Sequence, residues 1–263
     1  MNILPIKKFN TFGLRNYWIQ QYYKTPKTFL TQEAKDYLNV KKQLPIFTNW
    51  LMSAGLVDSK DKSQTELSKF LADYLTTDSA LFWQMLWVNL CFDNELCLWF
   101  SANIGYDRLY LREDLTALME HTFNTVPESS RDNALKSLLN TFNETPLGNN
   151  MNIGRVIKTG NKVSVRRSPL NDVSLPVMAY SLYRYAEKTG RHSLTVSELY
   201  NSEQTDGIVR QFGIERKPLE QTLRSLEQDV NHVLRAELKM GLDNIILRED
   251  LTSEDIIKLM LIK

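Results

Sequence analysis

Two apolar stretches, residues 81–90 and 96–100, place the tightest limit on what this 263-residue chain can fold into. Gln84, Asn89, Asp93, Asn94 and Glu95 interrupt them, so neither run approaches the roughly 20 apolar residues that span a bilayer. Trp83, Trp87 and Leu90 recur at helical spacing, with Trp99 and Phe100 on the segment that follows. Such a stripe is either a cofactor or base-stacking box or a core face, and core is the favoured reading. The expectation is an aromatic-rich helical middle, residues 76–143, around which the rest of the chain is organised. Arg112-Glu113-Asp114-Leu115-Thr116 leads an amphipathic helix through Leu118 and Met119, and Ala134, Leu135, Leu138 and Leu139 mark another.

The flanking segments predict helix-turn-helix grammar. In residues 1–75, a helix over 31–38 with Thr31 as cap, a turn at Asn39-Val40 and a helix carrying Leu44, Phe47, Trp50 and Leu51 end at Gly55. Pro45 fits if that helix begins one or two residues before it. Residues 56–68 are expected to form a wing. Residues 144–263 predict a hairpin turning at Gly160-Asn161, then helices over 175–186, 196–200, 207–212 and 219–226. A strand over 244–247 and a closing helix over 253–261, capped by Ser253, complete that unit. The string Leu-Arg-Glu-Asp-Leu-Thr occurs at both 111–116 and 247–252, a hint that the halves share one plan. The fold class that results is mainly α with small β wings: winged-helix or helix-turn-helix units, an N-terminal one over 1–75 and a C-terminal one over 144–263, joined by the helical region.

Charge is segregated within a chain of net charge +1. Residues 1–60 hold nine Lys/Arg against three Asp/Glu, and residues 155–191 hold eight against two, with acidic blocks between and after. Local positive charge is what phosphate binding needs, although a chain of this length segregates some charge without any function. Lys24, Lys27, Lys41 and Lys42 are the candidate phosphate contacts of the first unit, with Thr48 and Asn49 on the second helix as candidate base contacts. Lys162, Arg166 and Arg167 give the hairpin a basic face, which reads either as a phosphate-contacting wing or as a charged edge ribbon.

Catalytic motifs are sparse. There is no phosphate-cradling glycine loop, GxSxG elbow, HExxH or EF-hand string, and no cofactor site is expected. His121, His192 and His232 lack ligand spacing, and Cys91 and Cys97 read as buried packing residues. Asp229 followed by Glu237-Leu238-Lys239 imitates the acid…acid-x-lysine pattern of nucleases, with Asp229 and Glu237 as candidate ligands of Mg2+ or Mn2+. The competing reading makes them solvated helix residues. The start Met1-Asn2-Ile3-Leu4-Pro5-Ile6-Lys7-Lys8 has no apolar core of signal-peptide length, so a cytoplasmic protein without membrane segments is expected.

Thr11-Phe12-Gly13-Leu14-Arg15-Asn16-Tyr17-Trp18-Ile19, the run Trp50-Leu51-Met52-Ser53-Ala54-Gly55-Leu56, the tryptophan-rich middle and Thr145-Pro146-Leu147-Gly148 resemble one bacterial family. It is the SspB-like family, once a domain of unknown function, linked to DNA phosphorothioation as the nicking component of single-strand phosphorothioation defence. The resemblance implies a winged-helix protein that binds double-stranded DNA, nicks one strand with Mg2+ or Mn2+, and works beside a desulfurase and a sulfur-transfer ATPase. Two other readings stay open: a non-catalytic winged-helix DNA-binding or regulatory protein, and a protein-interaction scaffold.

Overall fold

Side chains set the ends of the two tryptophan-bearing helices. Asp78 accepts a hydrogen bond from Leu81 N (3.0 Å) and so caps the helix Ser79–Asp93. Asn94 ends that helix in an extended conformation and starts the next, Glu95–Asn103, by accepting from Leu96 N (3.0 Å) and Cys97 N (3.2 Å). Trp83 and Trp87 are fully buried, so the stripe is core. Cys91 and Cys97 are buried free thiols, and burial pushes the Cys91 thiol up to about 12.

The computed structural model describes residues 3–239 and 241–261. It separates into two units, Met1–Ser168 and Pro169–Lys263. The first runs through α1 (Asn16–Lys24), α2 (Leu44–Ser53), α3 (Glu66–Leu71), α4 (Tyr74–Thr77), α5 (Ser79–Asp93) and α6 (Glu95–Asn103). Strand β1 (Leu109–Leu111), α7 (Arg112–Thr122), α8 (Glu128–Glu144), α9 (Pro146–Asn149), β2 (Arg155–Thr159) and β3 (Lys162–Arg166) complete it. β3 lies between β1 and β2 in an antiparallel sheet, with Val156 opposite Val165 and Lys158 opposite Val163.

The second unit holds α10 (Leu175–Thr189), β4 (Ser193–Thr195), α11 (Val196–Leu199), α12 (Ile208–Phe212) and α13 (Arg216–Gln228). It ends with the pair β5 (Leu234–Glu237) and β6 (Asn244–Leu247), and then α14 (Ser253–Leu261). The sheet order β4-β6-β5 is antiparallel throughout, and β5 follows α13 in the chain. Leu219, Leu223 and Leu226 form the buried stripe of α13. The mainly α class with small β wings is therefore the observed one.

Several local expectations change. The helix expected over 31–38 is a short π-helical turn, Phe29–Glu33, followed by a 3-10 turn, Ala34–Asp36. Thr31 caps nothing there: its hydroxyl donates to Thr28 O (3.1 Å). Helix α2 does start just ahead of Pro45, where the missing N–H is harmless. The wing over 56–68 reduces to one antiparallel bridge, Val57 to Gln64, before α3. The basic hairpin forms as expected, with Gly160 at φ +59° in its turn, but it pairs with β1 inside the first unit. Thr252, not Ser253, caps α14, since Thr252 Oγ1 accepts from Asp255 N (3.2 Å). Ser253 Oγ instead donates to Glu187 Oε2 (2.9 Å).

Candidate functional site

The segment Thr11 to Leu14 is fastened to α8 at atomic contact. Asn140 Nδ2 donates to Thr11 O (3.0 Å), Ser137 Oγ donates to Phe12 O (2.8 Å), and Leu14 N donates to Thr141 Oγ1 (2.9 Å). Trp50 Nε1 of α2 donates to the same Phe12 carbonyl (3.0 Å). Gly13 allows this approach, because a Cβ there would sit 2.4 Å from Ser137 O and Thr141 N. Arg15 follows at the start of α1, its guanidinium 4.7 Å from the centre of the Trp18 ring.

Between this segment, α7, α8 and the β2–β3 hairpin lies a cleft of about 420 Å³. Four cations line it: Arg15, Arg112, Lys136 and Lys158. Phe12, Leu139, Val156 and Val163 supply apolar surface, and no carboxylate is among the described lining residues. Asp132 is bonded to two of these cations. Lys136 Nζ reaches it at 2.8 Å and Arg112 Nη2 bonds its other carboxylate oxygen. The Lys136 hydrogen bond first, and then Arg112, hold the Asp132 carboxyl below the usual carboxylate range. The arrangement is suited to anions: fixed positive charge around a concave surface, with only part of it neutralised.

The residues singled out from sequence are placed differently. Lys24 Nζ donates to Gln21 Oε1 (2.8 Å), and Lys27 is exposed. Lys41 and Lys42 lie in the turn before α2, not on a helix, with both backbone N–H groups on Asn39 Oδ1. Thr48 donates to Leu44 O (2.9 Å) and Asn49 Nδ2 to Lys8 O (2.9 Å), so both side chains are engaged within the protein. Lys162 and Arg166 are exposed but share the sheet face opposite to Lys158, because facing residues alternate along each strand. Arg167 is not a surface residue at all. It is 0 % exposed, donates to Ser101 O (2.8 Å) and Ile104 O (2.9 Å), and lies over the rings of Phe100 and Tyr106. That burial removes it from any DNA surface.

Over its whole architecture the chain matches a crystal structure of SspB with a TM-score of 0.65 at 14% identity, covering 95% of this chain and 86% of that one. A crystal structure of magnesium-ion-bound SspB matches with a TM-score of 0.68 at 15% identity and the same coverage. The fold is SspB-like. No protein-family profile and no curated protein matches the sequence.

The acid pair singled out from sequence lies in the second unit. Asp229 follows α13 and accepts from Asn231 N and Nδ2, both at 2.9 Å. Glu237, at the far end of β5, pairs with Arg235 (2.7 Å) and accepts from Asn244 Nδ2 (3.2 Å). Lys239 is exposed in the bend beyond it. Each acid thus has its own partners, and no group of three or more His, Cys, Asp or Glu among the described residues is placed to hold a metal ion. No described helix is long and apolar enough to cross a membrane.

Sequence reasoning passed over the cleft's own cations. Arg15 stood inside the Thr11-Phe12-Gly13-Leu14-Arg15 motif, and Arg112 inside the repeated string, so both were visible as pattern but not as charge. Lys136 and Lys158 gave no signal, because only the folded chain brings α8 and β2 together.

Proposed function

We propose that this protein acts on DNA in phosphorothioate modification and phage defence as an SspB-like component, and that it holds the DNA backbone in the cleft of its first unit. The observation that carries the reading is the set of four cations, Arg15, Arg112, Lys136 and Lys158, around one concave surface with no carboxylate among its described lining residues. Phosphate contacts of this kind supply most of the affinity for nucleic acid and make it salt-dependent. The SspB-like fold supports the assignment to phosphorothioation, with a desulfurase and a sulfur-transfer ATPase as the partner class. Strand nicking with Mg2+ or Mn2+ is the activity this assignment carries.

The test uses supercoiled plasmid with Mg2+ or Mn2+, a chelator control, and a gel shift on the same samples. Open circles that disappear with chelator, together with a gel shift weakened by Lys136→Gln and Lys158→Gln, are the expected result. Binding without open circles would support the second reading, a non-catalytic DNA-binding protein. Absence of any shift would refute the cleft as a DNA site.

A further inference from the structure

We propose that the cleft accepts a single unstacked nucleotide of a DNA strand, with phosphates on its cationic rim and the base against Phe12. This inference rests on the cleft being the DNA site. A stacked duplex presents phosphate and sugar to a protein and keeps the base faces inside. Such a ligand would satisfy Arg15, Arg112, Lys136 and Lys158 while leaving the apolar part of the cleft, Phe12 with Leu139, Val156 and Val163, without a partner. An unstacked base supplies the missing complement. It has an apolar π-face, it is attached directly to two phosphates, and its separation from neighbours is what recognition of single strands requires.

Size and rigidity point the same way. The cleft, at about 420 Å³, lies in the range of small-ligand pockets, roughly 300–1,000 Å³, and is a concave site of the kind that encloses one group. Phe12 is half-buried, and its backbone is fastened on both sides. Its carbonyl accepts two hydrogen bonds, from Trp50 Nε1 and Ser137 Oγ, while the next residue, Gly13, is packed without clearance on α8. A backbone held in this way lowers the cost of ordering the site around a base. Lys158 is the exposed member of the rim, whereas Arg15, Arg112 and Lys136 are half-buried.

Fluorescence anisotropy at physiological salt, with the full chain and three labelled ligands, tests this. The ligands are a short single strand, a strand of equal length with all bases removed, and the corresponding duplex. The single strand should bind about ten-fold more tightly than the abasic strand, the usual effect of one stacked base. Phe12→Leu should bring that ratio toward parity while leaving the abasic strand's affinity unchanged. Lys136→Gln should weaken both strands by the same factor. Equal affinity for single and abasic strands would overturn the inference and leave phosphate binding intact, as would a duplex bound more tightly than the single strand. Weaker binding of the abasic strand by Phe12→Leu would assign the ring to the scaffold and overturn its role. If none of the three ligands binds, the DNA-binding reading itself falls.

Discussion

Asp132 couples two of the four cleft cations, since Lys136 and Arg112 both bond its carboxylate. The Lys136 bond, then Arg112, lowers its affinity for a proton against the opposing effect of burial. In the folded state the carboxyl therefore holds its proton less tightly than in the unfolded chain, whose carboxylate titrates near about 3.9. The stabilisation is complete above that unfolded value and is lost as pH falls through the depressed folded one. Urea-unfolding midpoints taken from about pH 5 downward should fall more steeply for the wild type than for Asp132→Asn. Parallel curves would show that the pairing adds no stability. The same substitution leaves Arg112 and Lys136 without their shared counter-charge, so DNA affinity should rise a few-fold at low salt. A weaker complex would instead mean that Asp132 orients the two cations. Arg167 gives the contrasting case of a buried cation. Its guanidinium holds the carbonyls of Ser101 and Ile104, and Arg167→Met would leave both without those donors. The loss should be on the order of 3 kcal/mol in urea unfolding, with DNA affinity per folded molecule unchanged.

At the scale of elements, the cleft depends on how closely one extended segment approaches one helix. Gly13→Ala would drive a Cβ to 2.4 Å from backbone atoms of α8, which cannot swing aside as a side chain can. Destabilisation of roughly 3 kcal/mol is expected, with loss of the single-strand preference as Phe12 moves off α8. Gly190→Ala is the control: no described atom lies within 4 Å of its Cβ position, so it carries only the strain of φ +70°, about 1 kcal/mol. If both variants cost the same, close packing is not what the Gly13 position requires. The repeated string shows how much of such detail a sequence holds. Leu111 and Leu247 both end strands, as the identical letters suggest, but Arg112 begins α7 at once while α14 begins only at Ser253. Asp114 accepts from Leu111 N (2.8 Å) and Arg112 bonds Asp132, which frees the helix to start. The equivalent Arg248 turns back on Asp250 through Nε (3.0 Å) and Nη2 (2.6 Å), and the chain makes a turn instead. Periodicity was enough to read α2, α8, α10, α13, α14 and the β2–β3 hairpin. It missed β1, whose three residues become a strand only because β3 is there to pair with them. It also misread residues 31–38, where a π-helical turn gives way to a 3-10 turn closed by Tyr37 N on Ala34 O (3.1 Å), so no regular α-helix is built.

On the scale of the whole molecule, a net charge of +1 conceals two units of opposite sign. Met1–Ser168 holds 20 Lys/Arg against 16 Asp/Glu, and Pro169–Lys263 holds 12 against 15. Sequence blocks revealed the segregation but credited the positive charge to Lys41, Lys42, Lys162 and Arg166, the residues most visible along the chain. The cleft draws its charge from four separate elements, which no block count can group. A salt titration separates these two origins of affinity. If the cleft carries the backbone contacts, about four phosphates are neutralised, and log K should fall against log salt with a slope of about −3. Lys158→Gln should reduce that slope by roughly 0.7–0.9, the effect of one phosphate contact. Lys217→Gln and Arg235→Gln, in the acidic second unit, should leave it unaltered. An equal reduction from the second-unit variants would route the strand over Pro169–Lys263 and make the cleft a secondary contact. An unaltered slope there would leave the second unit's exposed α13 and β ribbon free for protein partners, where a surface of net negative charge is no handicap.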